Sequence, residues 1–297
     1  MVLNKIVKKF ILGSAQFGNK YGIDNPNASK SKKKSLNIIK HAKFSGINTI
    51  DLGDKYKSYK NIFTNFKLQD WKISMKISSN VIKKYSSKNK FQEFFFNMLN
   101  HLNKNKIEYF LFHNSSDLQK KNGKKIFNHL LILKRKGLIK KIGVSVYSPK
   151  ELNNILKSFE IDVVQLPLNV FDQRFNQAKI VKKLKKRKIE VHARSVFLQG
   201  LLLSNKKRLK KKYFKDNKLL NSWFDYVKIN NINAVNECLN FVLKKKFVSK
   251  IVIGVNKLEQ IKLILKKNKS KLNSEDLDMF HNHDIKLIDP RKWKKIK

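Results

Sequence analysis

One alternation constrains this chain more than any other feature. Eight short apolar runs with strand character are each followed by a segment of helical periodicity, over 297 residues. The strand-like runs are Lys9–Gly13, Ile47–Asp51, Trp71–Lys76, Ile107–His113, Lys140–Ser145, Asp162–Gln165, Ile189–Arg194 and Lys250–Gly254. Helical segments cover about residues 31–45, 58–68, 90–104, a stretch ending near Arg135, 149–159, 176–187, 231–246 and 257–267, with a short helix at the C-terminus. Residues 204–230 read as a long basic insertion whose structure the pattern leaves open. Strands separated by helices pair in parallel rather than as hairpins. Eight such units imply an α/β fold, a (β/α)8 barrel, in one domain spanning residues 1–297. No composition shift marks a second domain.

Local signals agree with that frame. Phe91, Phe94, Phe95, Met98, Leu99 and Leu102 recur at helical spacing and read as a core-facing stripe rather than a cofactor box. Gly46 and Gly137 stand where helices must end, and Gly137 suits a left-handed C-cap. Ser148-Pro-Lys-Glu151 has the form of a capping box with proline at the first helical position.

Charge needs its own reading. Lys and Arg outnumber Asp and Glu by 67 to 21, a formal net charge of +46. Such a balance favours polyanion binding. The lysines, however, are spread along the whole chain among many Asn and Ile residues, as AT-rich coding gives, with no basic tail and no repeated aromatic-basic motif. The distribution therefore favours drift over a specific nucleic-acid partner. The lone Cys238 rules out an intramolecular disulfide and falls in an apolar helical pattern, so a core thiol is expected. No apolar run approaches the 18 or so residues of a membrane span, and the one ending at Ile11-Leu12 is too short for a signal peptide. A cytoplasmic protein without a membrane partner is the expectation.

The chemistry is expected at the strand ends. The second, third and fourth strand-like runs end in Asp51, Lys76 and His113, with Tyr56 just beyond the first of these. An acidic residue closing a buried strand is costly unless paired, and in a parallel barrel neighbouring strands end on one rim, where active sites sit. A lone polar strand end is usually structural. Three in succession, of types that tune one another, point to a site.

These residues carry a resemblance. The opening Leu12-Gly-Ser-Ala-Gln-Phe-Gly18, the Asp51…Tyr56 spacing, Lys76, His113 in Leu-Phe-His-Asn, Ile142-Gly-Val-Ser145, Gln165-Leu-Pro-Leu-Asn169, Arg194-Ser-Val-Phe-Leu-Gln-Gly200 and Val252-Ile-Gly254 fall in order and at barrel spacing. From Leu12 to Leu263 the chain resembles the aldo-keto reductase family. Among its members it looks most like those linked to surface-polysaccharide sugar metabolism. The resemblance implies reduction of an aldehyde or ketone, a small-molecule substrate that would include sugars. The implied cofactor is NADP(H), with NAD(H) as the alternative, and no metal is implied.

The implied catalytic residues are Asp51, Tyr56, Lys76 and His113. The implied cofactor-binding residues are Gly13, Ser14, Ala15, Asp51, Ser145, Gln165, Arg194, Ser195, Val196, Phe197, Gly200, Gly254, Val255, Asn256 and Gln260. Tyrosine ordinarily titrates at about 10. Lys76 would help Tyr56 to exchange a proton, Asp51 would hold Lys76, and His113 would orient the carbonyl oxygen. Ser145 and Gln165 would meet the nicotinamide carboxamide, and the backbone of residues 195–200 and 254–256 the phosphates. Lys257 is a weaker candidate for a 2′-phosphate.

The chain departs from the family pattern at Lys57, Val146, Arg194 and Ile264. Those departures motivate the alternative of a non-catalytic or regulatory cofactor-binding barrel. Tyr59 is the reserve candidate for the acid. His281, His283 and Asp284 fit a surface C-terminal helix better than a metal site, and His192 fits a satisfied barrel histidine. The sequence leaves oligomeric state open and puts substrate choice in loops such as 19–30 and 204–230.

Overall fold

A computed structural model describes residues 6–18, 22–23, 31–63, 68–266 and 276–293. Its strands are β1 (Phe10–Gly13), β2 (Thr49–Gly53), β3 (Lys72–Ile77), β4 (Ile107–Phe112), β5 (Ile139–Ser145), β6 (Val163–Pro167), β7 (Glu190–Arg194) and β8 (Lys250–Gly254). Each pairs in parallel with its neighbours in chain order, and β8 closes onto β1. The alternation in the sequence is thus a (β/α)8 barrel.

Helix ends form as the local chemistry requires. Helix Lys32–Phe44 begins at Ser31, whose hydroxyl accepts from Lys34 N, and stops at Gly46 with φ of 98°. Gly137 has φ of 74° and returns its N–H to Lys134 O. At helix Pro149–Ser158, Ser148 Oγ accepts from Glu151 N, but Glu151 reaches one residue further back than a capping box predicts, to Tyr147 N at 2.9 Å. Helix Lys88–Leu102 buries Phe91, Phe95, Met98, Leu99 and Leu102, and both phenylalanine rings pack on Phe110 of β4. Full burial of such a side chain stabilises by about 1.5–3 kcal/mol, so this face fixes the helix against the barrel.

Some sequence boundaries move. β2 runs two residues further than the apolar pattern suggested, because Leu52 and Gly53 pair with Met75 and Lys76. Asp51 therefore lies within the strand. The segment near 58–68 is helical over Lys57–Asn61, and the stretch before Arg135 is two helices, Ser115–Gln119 and Lys121–Arg135. Residues 204–230 contain the helices Lys212–Lys215 and Lys218–Ile229, with Trp223 fully buried and donating to Leu202 O. His281, His283 and Asp284 precede the short helix Ile285–Ile288, where Asp284 caps Lys286 N. Among the described residues no group of three His, Cys, Asp or Glu side chains could hold a metal, and no helix is long and apolar enough to cross a membrane. Cys238 is buried and free.

At the N-terminal end the barrel interior is closed by a polar network. Glu190 accepts from Tyr109 Oη at 2.9 Å, from Lys141, and from His192 Nε2 at 3.0 Å. Burial opposes the charge on Glu190, but His192 and Lys141 outweigh it and hold the carboxyl near 2. His192 Nδ1 is buried without a partner, so only one of the two ring nitrogens is satisfied.

Candidate active site

Strand register assembles the rim. Gly13 pairs with Asp51, Asp51 with Ser74, and Gly53 with Lys76, so three strands present these positions at one level. Asp51 and Lys76 are 2% and 4% exposed, and Lys76 Nζ lies 2.8 Å from Asp51 Oδ1. Gln165, from the far side of the barrel on β6, bridges the pair. It accepts from Lys76 Nζ at 2.8 Å through Oε1 and donates to Asp51 Oδ2 at 3.1 Å through Nε2. Ser74 Oγ donates to the same carboxylate oxygen at 3.2 Å. A buried charge persists only when paired and hydrogen-bonded, and here both conditions hold. Burial works against the Lys76 ammonium, but Asp51 and then Tyr56 more than offset it, so its pKa lies above the usual lysine value.

Tyr56 reaches this pair through a tight turn. Its N–H donates to Gly53 O at 2.9 Å, and its ring lies against Gly53, where a Cβ would stand 3.2 Å from the ring carbons. Asp54 ties the same turn to the end of β3 by accepting from Ser78 N and Ser78 Oγ. Lys76 Nζ sits 5.7 Å from the Tyr56 ring centre and hydrogen-bonds to Tyr56. The His113 ring meets the Tyr56 ring edge-on, at 6.0 Å and 88°. Burial, then Lys76, then Arg194 push the His113 imidazole down to about 3, so it is neutral across the ordinary pH range. Tyr59, the reserve acid, points elsewhere. It packs on His101 at 4.8 Å, and burial with Asp54 nearby drives its hydroxyl up to about 12.

Tyr56 and the ion pair open onto a cavity of about 360 Å³. Asp51, Tyr56 and Lys76 line it, together with Gly13, Ala15, Gln165, Arg194, Ser195, Val196, Phe197, Gly200, Gly254, Val255, Asn256 and Gln260. His113, Ser14 and Ser145 are not among its lining residues. Ser14 Oγ instead donates to Asp51 O at 2.7 Å, and Ser58 Oγ donates to Ser14 O at 3.0 Å, which ties the first loop to the Tyr56 segment. Ser145 is buried at the end of β5, paired with Gln165. Gln260 Oε1 accepts from Asn256 N and Lys257 N at 2.7 and 3.2 Å, occupying two amides at the start of helix Leu258–Leu265.

Residues 195–200 carry an unusual backbone. Ser195, Leu198 and Gln199 have φ of 57°, 46° and 52°, and Gly200 has 94°. Non-glycine residues in this region cost on the order of 1–3 kcal/mol each and persist where the surroundings hold them, commonly at binding sites. Ile23 N donates to Gln199 O at 3.0 Å, which clips residues 22–23 onto this segment. The rest of loop 19–30 lies outside the described residues.

Several participants gave no usable sequence signal. Ser58 and Ser74 are ordinary serines until the fold brings them to Ser14 and Asp51, respectively. Gln16 lines the cavity with Oε1 buried and unpartnered among the described residues. Arg208 lines it from the basic insertion.

The family model of the aldo/keto reductase family matches residues 9–285. The chain belongs to this family. That places it among oxidoreductases. No curated protein sequence matches it significantly. Among solved structures, the holo form of an aldo-keto reductase from Bacillus halodurans superposes with a TM-score of 0.68 at 16% identity, covering 96% of this chain and 95% of that one. A glycerol dehydrogenase from Gluconobacter oxydans gives 0.66 at 16% identity, over 95% and 92%. At such identities these likenesses speak for the fold.

Proposed function

We propose that the protein is an NADPH-dependent reductase of an aldehyde or ketone, with Tyr56 as the general acid. The observation that carries this reading is that Tyr56 and the buried Asp51–Lys76 pair meet at one cavity, with the His113 ring edge-on against Tyr56.

The residues present fit a nicotinamide dinucleotide. Gln16 Oε1 is a buried acceptor lacking a donor among the described residues, suited to an amide group. Arg208 and Lys257 supply exposed positive charge for phosphates along the same cavity. The strained segment 195–200 and Gly254–Asn256 would hold the dinucleotide. When bound, it supplies the hydride.

The protein's own groups handle the oxygen. Neutral His113 donates an N–H to the carbonyl oxygen and orients it. The Tyr56 hydroxyl gives its proton to that oxygen as negative charge develops there. The Lys76 ammonium stabilises the phenolate left behind, and Asp51 with Gln165 keeps the ammonium in place. No metal enters this scheme.

A second reading, a cofactor-binding barrel without turnover, draws on Gln165 and Gln260, whose side chains are engaged within the protein. Tyr56→Phe separates the two. The ring and its packing remain and only the hydroxyl goes, so the variant should fold, bind NADPH within a few-fold of wild type, and lose about 10²–10⁴-fold in carbonyl reduction. Wild-type turnover by the variant would remove Tyr56 from the role of acid. Absence of turnover in the wild-type protein, despite NADPH binding, would favour the second reading.

A further inference from the structure

The two side chains expected to meet the nicotinamide carboxamide are not open to it. Ser145 does not line the cavity. Gln165 does, but its Oε1 accepts from Lys76 and its Nε2 donates to Asp51, so the amide is committed to the ion pair. A carboxamide buried without hydrogen bonds is costly. The cavity beside Tyr56 therefore has to supply another partner.

Arg194 occupies the right place. Its backbone pairs with Pro167 at the end of β6. Its side chain reaches across to the end of β5, where Nη2 donates to Val146 O at 3.1 Å, one residue beyond Ser145. Nη1 donates to Ser195 Oγ at 3.3 Å. The residue is half-buried and lines the same cavity as Tyr56, Lys76 and Gln165.

The guanidinium is held but not neutralised. Its Cζ lies 4.0 Å from the centre of the Tyr147 ring, and Arg291 packs 3.5 Å from the same centre. Two guanidiniums that close to one ring take opposite faces, so Tyr147 is clamped between them. Arg291 is neutralised by Asp289, and Lys76 by Asp51. Among the described residues no carboxylate meets Arg194. Its neutral contacts leave it further N–H donors and its full charge.

That charge discriminates between the two forms of the cofactor. The oxidised nicotinamide ring is positive and the reduced ring is neutral, so a fixed cation beside it repels one form only. At a separation of about 6 Å and an effective dielectric of about 20 to 40, the repulsion amounts to about 10- to 100-fold in a dissociation constant.

We infer that Arg194 donates to the carboxamide oxygen of the nicotinamide, and that its uncompensated charge makes the site hold the reduced cofactor in preference to the oxidised one. This rests on the cofactor binding in the reading above and is independent of turnover. A reductase gains from such a bias, because it loads the form it consumes and expels the form it makes.

The test is equilibrium titration of NADPH and NADP+ by calorimetry, without substrate. The wild type should bind NADPH at least about tenfold more tightly than NADP+. Arg194→Met should weaken NADPH by about tenfold, for the lost charge-assisted bond. It should leave NADP+ little changed, because the lost bond and the lost repulsion offset each other, so the ratio collapses. Arg194→Lys keeps the charge and should keep the ratio. Lys257→Gln, at an exposed cation, should also leave the ratio as it is. The wild type should bind NADPH several-fold more tightly than its thionicotinamide analogue, whose sulfur is the weaker acceptor, and Arg194→Met should not tell the two apart. Equal affinity of the wild type for NADPH and NADP+ would overturn the assignment with no variant needed. So would an unchanged ratio in Arg194→Met, which would mark a merely structural arginine. The expected pattern without any carbonyl reduction would remove the reductase reading and leave the assignment standing. A wild type that binds neither form would remove both.

Discussion

Replacing Lys76 with methionine removes the cation of a pair that is almost wholly out of water, at 4% and 2% exposure. At 2.8 Å and an effective dielectric of about 20, the attraction between the two charges is about 6 kcal/mol. Desolvation of both groups cancels much of that in the intact pair, so the pair itself adds little net stability. Breaking it is different, because Asp51 stays buried with only Ser74 Oγ and Gln165 Nε2 as donors, and Gln165 Oε1 loses its lysine. Orphaning a buried charge costs about 3–5 kcal/mol. In a chain of this size that lowers Tm by about 6–10 °C. The double variant Asp51→Asn/Lys76→Met leaves no orphaned charge and should regain most of the lost stability, though not activity. Differential scanning calorimetry at pH 7.5 on wild type, both single variants and the double gives the cycle. A Lys76→Met protein melting within about 1 °C of wild type would refute the reasoning, as would a double variant no more stable than Lys76→Met.

Other expectations follow from the same geometry. Gly53→Ala puts a methyl 3.2 Å from the Tyr56 ring. It should lower kcat by about tenfold or more with little change in Tm, because small misplacements of a reacting group are costly; urea melts and steady-state kinetics on one preparation check both halves. Gly143→Ala drives a Cβ to 2.0 Å from Val163 O, backbone against methyl at the β5–β6 pairing, and should not yield folded protein by circular dichroism. His113 sits near 3 in the fold against about 6.5 when unfolded. Below about pH 6.5 the unfolded chain takes a proton that the folded chain refuses, so stability falls as pH drops from 6.5 toward 3. His113→Gln should flatten that part of the denaturation profile, and kcat should show no limb near 6.5. Burial pushes the Cys238 thiol up, so Ellman's reagent should react with it only as fast as the protein opens.

The sequence by itself determined the architecture, because burial periodicity is a local property. Alternating strand and helix runs specify parallel pairing, and the stripe from Phe91 to Leu102 or the stop at Gly46 is legible from neighbours a few residues apart. It also determined the chemical types at the rim, since Asp51, Lys76 and His113 end or nearly end apolar runs where a polar residue needs a reason. What only the tertiary structure decided depends on strands far apart in the chain. Gln165 meets Lys76 across 89 positions, and nothing near residue 165 signals that its amide serves an ion pair instead of standing open. Ser14 reads as a binding-loop residue, yet its hydroxyl is spent on Asp51 O. Arg194 reads as a cofactor-binding position that departs from the family pattern. Its distinction is the lack of a carboxylate in a half-buried place. That is a property of everything folded around it, because pairing of a charge is settled by three-dimensional neighbours and sequence order does not carry them.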